Sequence, residues 1–260
     1  MLLAMDVGNT NIKLALFDGK EMRSSWRISA TIIRTADEFG IAFRDLFSAH
    51  GYDFSDVDGI IISSVVPTLN YTLEHACTYY MHIKPLMVSS LIETGIKIAY
   101  ADPKLLGADR IASSVAAFNL YGGPCIVVDM GTATTFNAIT KDGTFLGGAI
   151  APGMKTSLDA LVSHASQLPL VELSLPASPI GKNTITNMQS GIIYGYRGLV
   201  ENVIHEIKRE LGEDAKVVAT GGLTSVILSE ESEFVDHYDR ALTLKGLQIL
   251  YSLNHERRTL

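Results

Sequence analysis

Asp6 and Asp129 each end an apolar run, and each is followed two positions later by a glycine and then by small hydroxyl or amide residues. Leu2-Leu3-Ala4-Met5-Asp6-Val7-Gly8-Asn9-Thr10-Asn11 and Ile126-Val127-Val128-Asp129-Met130-Gly131-Thr132-Ala133-Thr134-Thr135 are two versions of one pattern. Gly8 lets the backbone come close to an anion, and Asn9, Thr10 and Asn11 add donors beside the loop amides. A carboxylate at this place repels phosphate, so the chemistry that suits Asp6 is to hold a hydrated Mg2+ bridging phosphate oxygens. For one copy, a plain hairpin turn accounts for Asp-x-Gly-Asn equally well; two matched copies favour the phosphate reading. In the second copy Thr132 stands where Asn9 stands in the first, while Thr134 and Thr135 also read simply as strand residues.

Two further constellations carry chemistry. Ala219-Thr220-Gly221-Gly222-Leu223-Thr224 is an apolar strand followed by paired glycines and a helix start, a turn that leaves room for an adenine or ribose ring. The competing reading of Gly221-Gly222 is a tight turn without a ligand. Gly107-Ala108-Asp109-Arg110 opens a helix. An aspartate in the first turn of a helix ordinarily compensates the helix dipole. Arg110 beside it offers a fork that suits a small carboxylate. Together the pair can supply a general base and a substrate clamp.

The elements that position these residues repeat. Residues 2–7, 12–18 and 21–29 read as a three-stranded meander with a hairpin signal at Asp18-Gly19. Residues 125–130, 134–140 and 144–151 repeat it, with Asp142-Gly143 as the matching turn. Asp6 and Asp129 lie 123 positions apart and the two turn aspartates 124, so the match spans a whole hairpin. Thr35 with Glu38 forms a capping box ahead of a helix over 35–50, in which Phe39, Phe43, Leu46 and Phe47 fall at helical spacing. A buried-type strand over 59–65, a helix over 69–81 and a short strand over 85–88 follow. Ile111, Val115 and Phe118 form a helical stripe within 107–121. Helices are expected over 154–164 and 187–211, and a strand over 216–220. Gln167 to Asn183 lacks periodicity and reads as a long loop of the functional kind.

Bulk properties narrow the class. The 260 residues fit one large domain or two of roughly half that size, and the duplication favours two: residues 1–115 and 116–260. A hydrophobic content of 47% permits a substantial core. The net charge of −7 argues against a nucleic-acid surface, and the only basic run, His255-Glu256-Arg257-Arg258, reads as a solvated tail. Cys77 and Cys125 are far apart and lack metal-ligand spacing, which points to a reducing compartment. Asp6 interrupts the first apolar run, so no signal peptide is expected, and no stretch has the length of a membrane span. A cytoplasmic protein is the expectation.

In order and spacing these motifs resemble the type III pantothenate kinases of the acetate and sugar kinase, Hsp70 and actin superfamily. The resemblance runs from Met5-Asp6-Val7-Gly8-Asn9-Thr10 to Ala219-Thr220-Gly221-Gly222-Leu223-Thr224. It includes Pro103-Lys104-Leu105-Leu106-Gly107-Ala108-Asp109-Arg110 and Gly147-Gly148-Ala149-Ile150-Ala151-Pro152-Gly153. It implies an α/β fold of two ribonuclease-H-like domains, each a mixed sheet with a meander flanked by helices, and ATP in the cleft between them. The implied activity is ATP-dependent phosphorylation of pantothenate to 4'-phosphopantothenate, the first step of coenzyme A biosynthesis.

The resemblance also implies residue roles. Asp6, Val7, Gly8, Asn9, Thr10, Asn11, Ile12 and Lys13 would bind ATP, together with Thr132, and Asp109 would be the base. Tyr100, Gly107, Ala108 and Arg110 would line the pantothenate site, and Asp129 would hold the monovalent cation, K+ or NH4+. Thr184, in the long loop, would touch substrate in its own subunit or across a dimer interface. A homodimer is also expected from Ile192, Ile193, Tyr196, Leu199, Val200, Val203, Ile204 and Ile207, whose apolar coverage is wider than one core-facing stripe. Two other readings compete: a superfamily kinase acting on a sugar, a glycerol-like alcohol, acetate or another small hydroxy acid, and a non-catalytic nucleotide-binding transcription accessory factor.

Overall fold

The computed structural model describes residues 1–222, 224 and 234–255. The chain forms two compact units, one of residues 1–116 with 242–260 and the other of residues 117–241.

In the first unit β1 (Leu2–Val7), β2 (Asn11–Asp18) and β3 (Glu21–Ser29) form the expected meander. α1 (Ala36–Ser48), β4 (Gly59–Ser64), α2 (Pro67–Met81) and β5 (Leu86–Met87) follow. The sheet order is β3-β2-β1-β4-β5, with β2 antiparallel to β1 and β4 parallel to it. All six residues of β1 are buried, so the strand is covered on both faces. On one face Leu3, Met5 and Val7 join Ile12, Leu14 and Leu16 against Phe39, Phe43 and Phe47 of α1 and Leu73 of α2. The capping box at Thr35 is formed: Glu38 N–H donates to Thr35 Oγ1 and Thr35 N–H to Glu38 Oε2.

A short strand, β6 (Lys97–Ile98), precedes α3 (Ala108–Tyr121). Residues 111–117 of α3 are buried without a break, so two turns of it are core on every side rather than along the single stripe of Ile111, Val115 and Phe118. In the second unit β7 (Cys125–Met130), β8 (Ala133–Ile139), β9 (Thr144–Pro152), α4 (Met154–His164), α5 (Thr184–Leu211), β10 (Lys216–Thr220) and β11 (His237–Tyr238) repeat the plan. The strand order β9-β8-β7-β10-β11 is the same as in the first unit, with β8 antiparallel to β7 and β10 parallel to it. This is the ribonuclease-H-like order, present twice. Ile126, Val128, Met130, Phe136 and Val217 pack with Ile193, Val200 and Ile204 of α5.

The last helix, α6 (Leu242–His255), departs from the sequence expectation. The division at 115/116 assigns it to the second half, but it packs in the first unit on β1, β2 and β4. Leu242, Leu244, Leu247 and Leu250 are buried there, each contributing about 1.5–3 kcal/mol on transfer from water. The approach to α3 is so close that a Cβ on Gly246 would strike the Ala112 carbonyl. Among the described residues no helix is long and apolar enough to cross a membrane. Glu256, Arg257 and Arg258 of the basic tail lie outside the described residues.

Candidate active site

In the first unit the cross-strand register sets the polar cluster. Asp6 at the end of β1 pairs with Lys13 on β2, so both side chains leave the same face of the sheet. Lys13 Nζ donates to Asp6 Oδ2 at 3.1 Å, with the Asp6 side chain only 10% exposed. The turn between them closes by Gly8 N–H donating to the Asn11 carbonyl at 3.0 Å. Asn9 and Thr10 are exposed at its tip, and Gly8 and Asn11 are half-buried. Val7 and Ile12 have their side chains in the core, so they offer the turn only backbone. Ser63, in register with Asp6 on β4, is fully buried, and its hydroxyl has no hydrogen-bond partner among the described residues.

Asp109 stands in the first turn of α3 and accepts the Arg110 N–H at 2.7 Å. The helix amide and the Arg110 charge pull its pKa down. Burial, and next the negative charge of Asp6, outweigh them and hold it above the ordinary 3.8. A carboxylate raised this way is a better base near neutral pH than a solvated one. The influence of Asp6 also places the two carboxylates in one electrostatic neighbourhood. Arg110 is buried, its guanidinium 5.8 Å from the centre of the Tyr100 ring. Gly107 and Ala108 shape the entry to α3; a Cβ on Gly107 would meet Asp109 Oδ1 at 2.6 Å. The first unit thus brings together Asp6, Lys13, Asp109, Arg110, Tyr100 and the 8–11 turn.

In the second unit Asp129 is half-buried on the central strand β7, in register with Thr135 and Thr220. The next turn closes by Gly131 N–H donating to the Ala133 carbonyl at 3.0 Å, one residue tighter than the turn at Gly8. Thr132 at its tip is exposed, and its carbonyl accepts Gly153 N–H at 3.0 Å and Thr156 Oγ1 at 2.7 Å. A Cβ on Gly153 would collide with the Gly131 and Thr132 carbonyls, so this contact admits glycine alone. Gly221 is buried at φ +108 against the Met130 backbone, and Gly222 is exposed. Leu223 lies outside the described residues.

Thr184 is not in the loop, as the sequence reading has it, but is the first residue of α5, because Asn183 caps the helix by accepting Thr186 N–H at 2.9 Å. It is exposed and lines a cavity of about 340 Å3 with Leu161, Leu168, Met188 and Ile192. Thr184 belongs to the second unit and the 107–110 segment to the first. Sequence reasoning gave no role to Gly153, Thr156, Ser63 or the Tyr196 hydroxyl. The run ending in Gly153 was a visible signal; the others are set only by tertiary contacts.

Among the described residues no three His, Cys, Asp or Glu side chains converge as a metal cluster. A single carboxylate such as Asp6 is the kind of protein ligand a Mg2+ ion accepts, since Mg2+ keeps most of its shell as water and phosphate oxygen. Asp129, flanked by threonines, offers the oxygen donors a hard monovalent cation takes.

The family model described as type III pantothenate kinase matches residues 2–206. The chain is 47% identical to a type III pantothenate kinase from Geobacillus sp. (strain WCH70) over 258 residues, covering 99% of this chain and 100% of the relative. Among solved structures it resembles a protein from Campylobacter jejuni assigned to a Baf family of transcriptional activators, with TM-score 0.61, 19% identity, and 99% and 100% of the two chains covered. It also resembles an ethanolamine utilization protein from Carboxydothermus hydrogenoformans, with TM-score 0.56, 14% identity, and 95% and 89% covered. At those identities the two structures share the fold. With the family model across most of its length and a full-length relative at 47% identity, the chain belongs to the type III pantothenate kinase family.

Proposed function

We propose that the chain transfers the γ-phosphoryl group of ATP to the primary hydroxyl of pantothenate, giving 4'-phosphopantothenate and ADP in the first step of coenzyme A biosynthesis. The observation that carries this reading is the Asp109–Arg110 pair at the start of α3, a carboxylate followed by a buried guanidinium, in a chain of this family. Arg110 clamps the pantothenate carboxylate, with Tyr100, Gly107 and Ala108 around it. The hydroxyl oxygen attacks the γ-phosphorus as the bond to the bridging β–γ oxygen breaks. ADP leaves with that electron pair, and Asp109 takes the hydroxyl proton. In a loose transition state the rate comes chiefly from positioning and charge neutralisation.

Residues 6–13 hold the phosphates through turn amides, Asn9, Thr10 and Lys13. Thr132 adds a hydroxyl, and Gly221 with Gly222 makes room for the adenosine. Asp6 would hold Mg2+ through water and Asp129 K+ or NH4+; these ions supply positive charge at the phosphates. The two buried free cysteines are in keeping with a cytoplasmic setting.

ADP release coupled to an indicator reaction tests the activity. Release is expected only with pantothenate present, and it should rise when K+ or NH4+ replaces Na+. Release that ignores pantothenate would overturn the substrate, and full activity in Na+ alone would remove the cation from Asp129.

A homodimer belongs to the same reading, on different grounds from those in the sequence. Ile192, Leu199, Val203 and Ile207 are partly buried against the second unit's own core, so they do not demand a partner. What supports one is the exposed side of α5, where Gly191, Gly195 and Gly198 leave open space and Gly191 lines the cavity at Thr184. Mixing Asp109→Asn with Thr184→Val protein should regenerate activity if the site is shared. A monomer by light scattering would end the dimer, and a dimer without complementation would end the shared site.

A further inference from the structure

Tyr196 comes from the middle of α5, yet its hydroxyl is buried where the β7–β8 turn meets the start of α4. It hydrogen-bonds the hydroxyl of Thr134, two residues past Thr132. The backbone of Met154, one residue past Gly153, also acts on the phenol oxygen, opposing the burial that raises its pKa. Gly153 N–H and Thr156 Oγ1 in turn hold the Thr132 carbonyl, and Ser157 N–H donates to the Gly153 carbonyl at 2.9 Å. One phenol therefore ties the strand leaving the turn to the helix start that grips the turn. We infer that Tyr196 is a positioning residue for nucleotide binding, acting through Thr134 and Met154 to fix the Gly131–Thr132 turn in the conformation that receives phosphate.

This rests on the reading that Thr132 contacts ATP. Burial raises the phenol to about 12, so it stays a neutral donor and acceptor throughout the working range. Removing it leaves the buried Thr134 hydroxyl without its bond. The ring itself packs with Ile193, Val200 and Met154, and that packing survives replacement by phenylalanine.

The test is calorimetric binding of a non-hydrolysable ATP analogue with Mg2+ to wild type, Tyr196→Phe, Thr134→Val, Thr134→Ser and Thr132→Val, with the melting temperature of each. Tyr196→Phe and Thr134→Val should weaken binding about five- to thirtyfold. Thr134→Ser, which keeps the hydroxyl, should bind like wild type, and KM for pantothenate should not move. A hydroxyl that only stabilises the fold would lower the melting temperature and leave the analogue's Kd unchanged, which would overturn the role of Tyr196. If Thr132→Val also binds like wild type, the nucleotide reading of the turn fails. If Thr132→Val alone binds weakly, that reading stands and the positioning role falls.

Discussion

Asp109→Asn is expected to lower turnover with pantothenate and ATP about 10²–10⁴-fold, the usual cost of losing a general base. Affinity for an ATP analogue should stay near wild type, because the amide keeps the shape and can still accept the Arg110 N–H. The same substitution should raise thermal stability at neutral pH. Burial, and then the charge of Asp6, raise the folded pKa above 3.8, so the ionised form is worse accommodated in the fold than in the unfolded chain. The penalty is absent in strong acid, grows as pH rises past the unfolded value, and is complete above the folded pKa. The gain in melting temperature should therefore vanish in strong acid. Wild-type turnover in this variant would remove Asp109 from the role of base.

Asp6→Asn should act on two measurements at once. On the proposed reading, in which Asp6 holds Mg2+ through water, its loss should cost about 10–100-fold in metal affinity or activity, and the Mg2+ concentration for half-maximal rate should rise accordingly. Lys13 loses the anion it pairs with at 3.1 Å, and its ammonium does not replace the divalent cation. The second measurement is the acid limb of the pH–rate profile. The negative charge of Asp6 is the second cause of the raised Asp109 pKa, so removing it should move that limb to lower pH. An unchanged Mg2+ requirement would take Asp6 out of metal binding. An unmoved limb would separate the two carboxylates electrostatically.

What was legible in the sequence is what local chemistry fixes. The paired Asp-Gly turns gave both hairpins, the Thr35–Glu38 box gave the start of α1, and the position of Asp109 in the first turn of α3 followed from spacing. The duplicated hairpin implied that the second half repeats the elements of the first, but not how the strands are ordered within each sheet. The elements that escaped are those governed by tertiary packing. α6 carries a glycine in its interior and buries most of its sides, so it shows neither propensity nor a clean stripe. The start of α5 hung on one cap: Asn183 is an ordinary loop residue until Thr186 N–H is seen to donate to it. The apolar excess on α5 was real, but its width came from a core that wraps the helix. The hydroxyl of Tyr196 could not be placed, since nothing near it in sequence names Thr134 or Met154 as its partners.

The return of α6 to the first unit has a consequence for how the chain matures during synthesis. Residues 117–241 are continuous, so the second unit can close its sheet as soon as β11 has emerged. The first unit, although begun at residue 1, waits with the Ala112 face of α3 and its side of β1 and β4 uncovered until the final helix leaves the ribosome. N-terminal domains generally fold first on the ribosome; a first unit that needs residues 242–255 to cover its core is expected to lag behind the continuous second unit. A ribosome stalled before residue 242 would hold the first unit with the Ala112 face of α3 still uncovered.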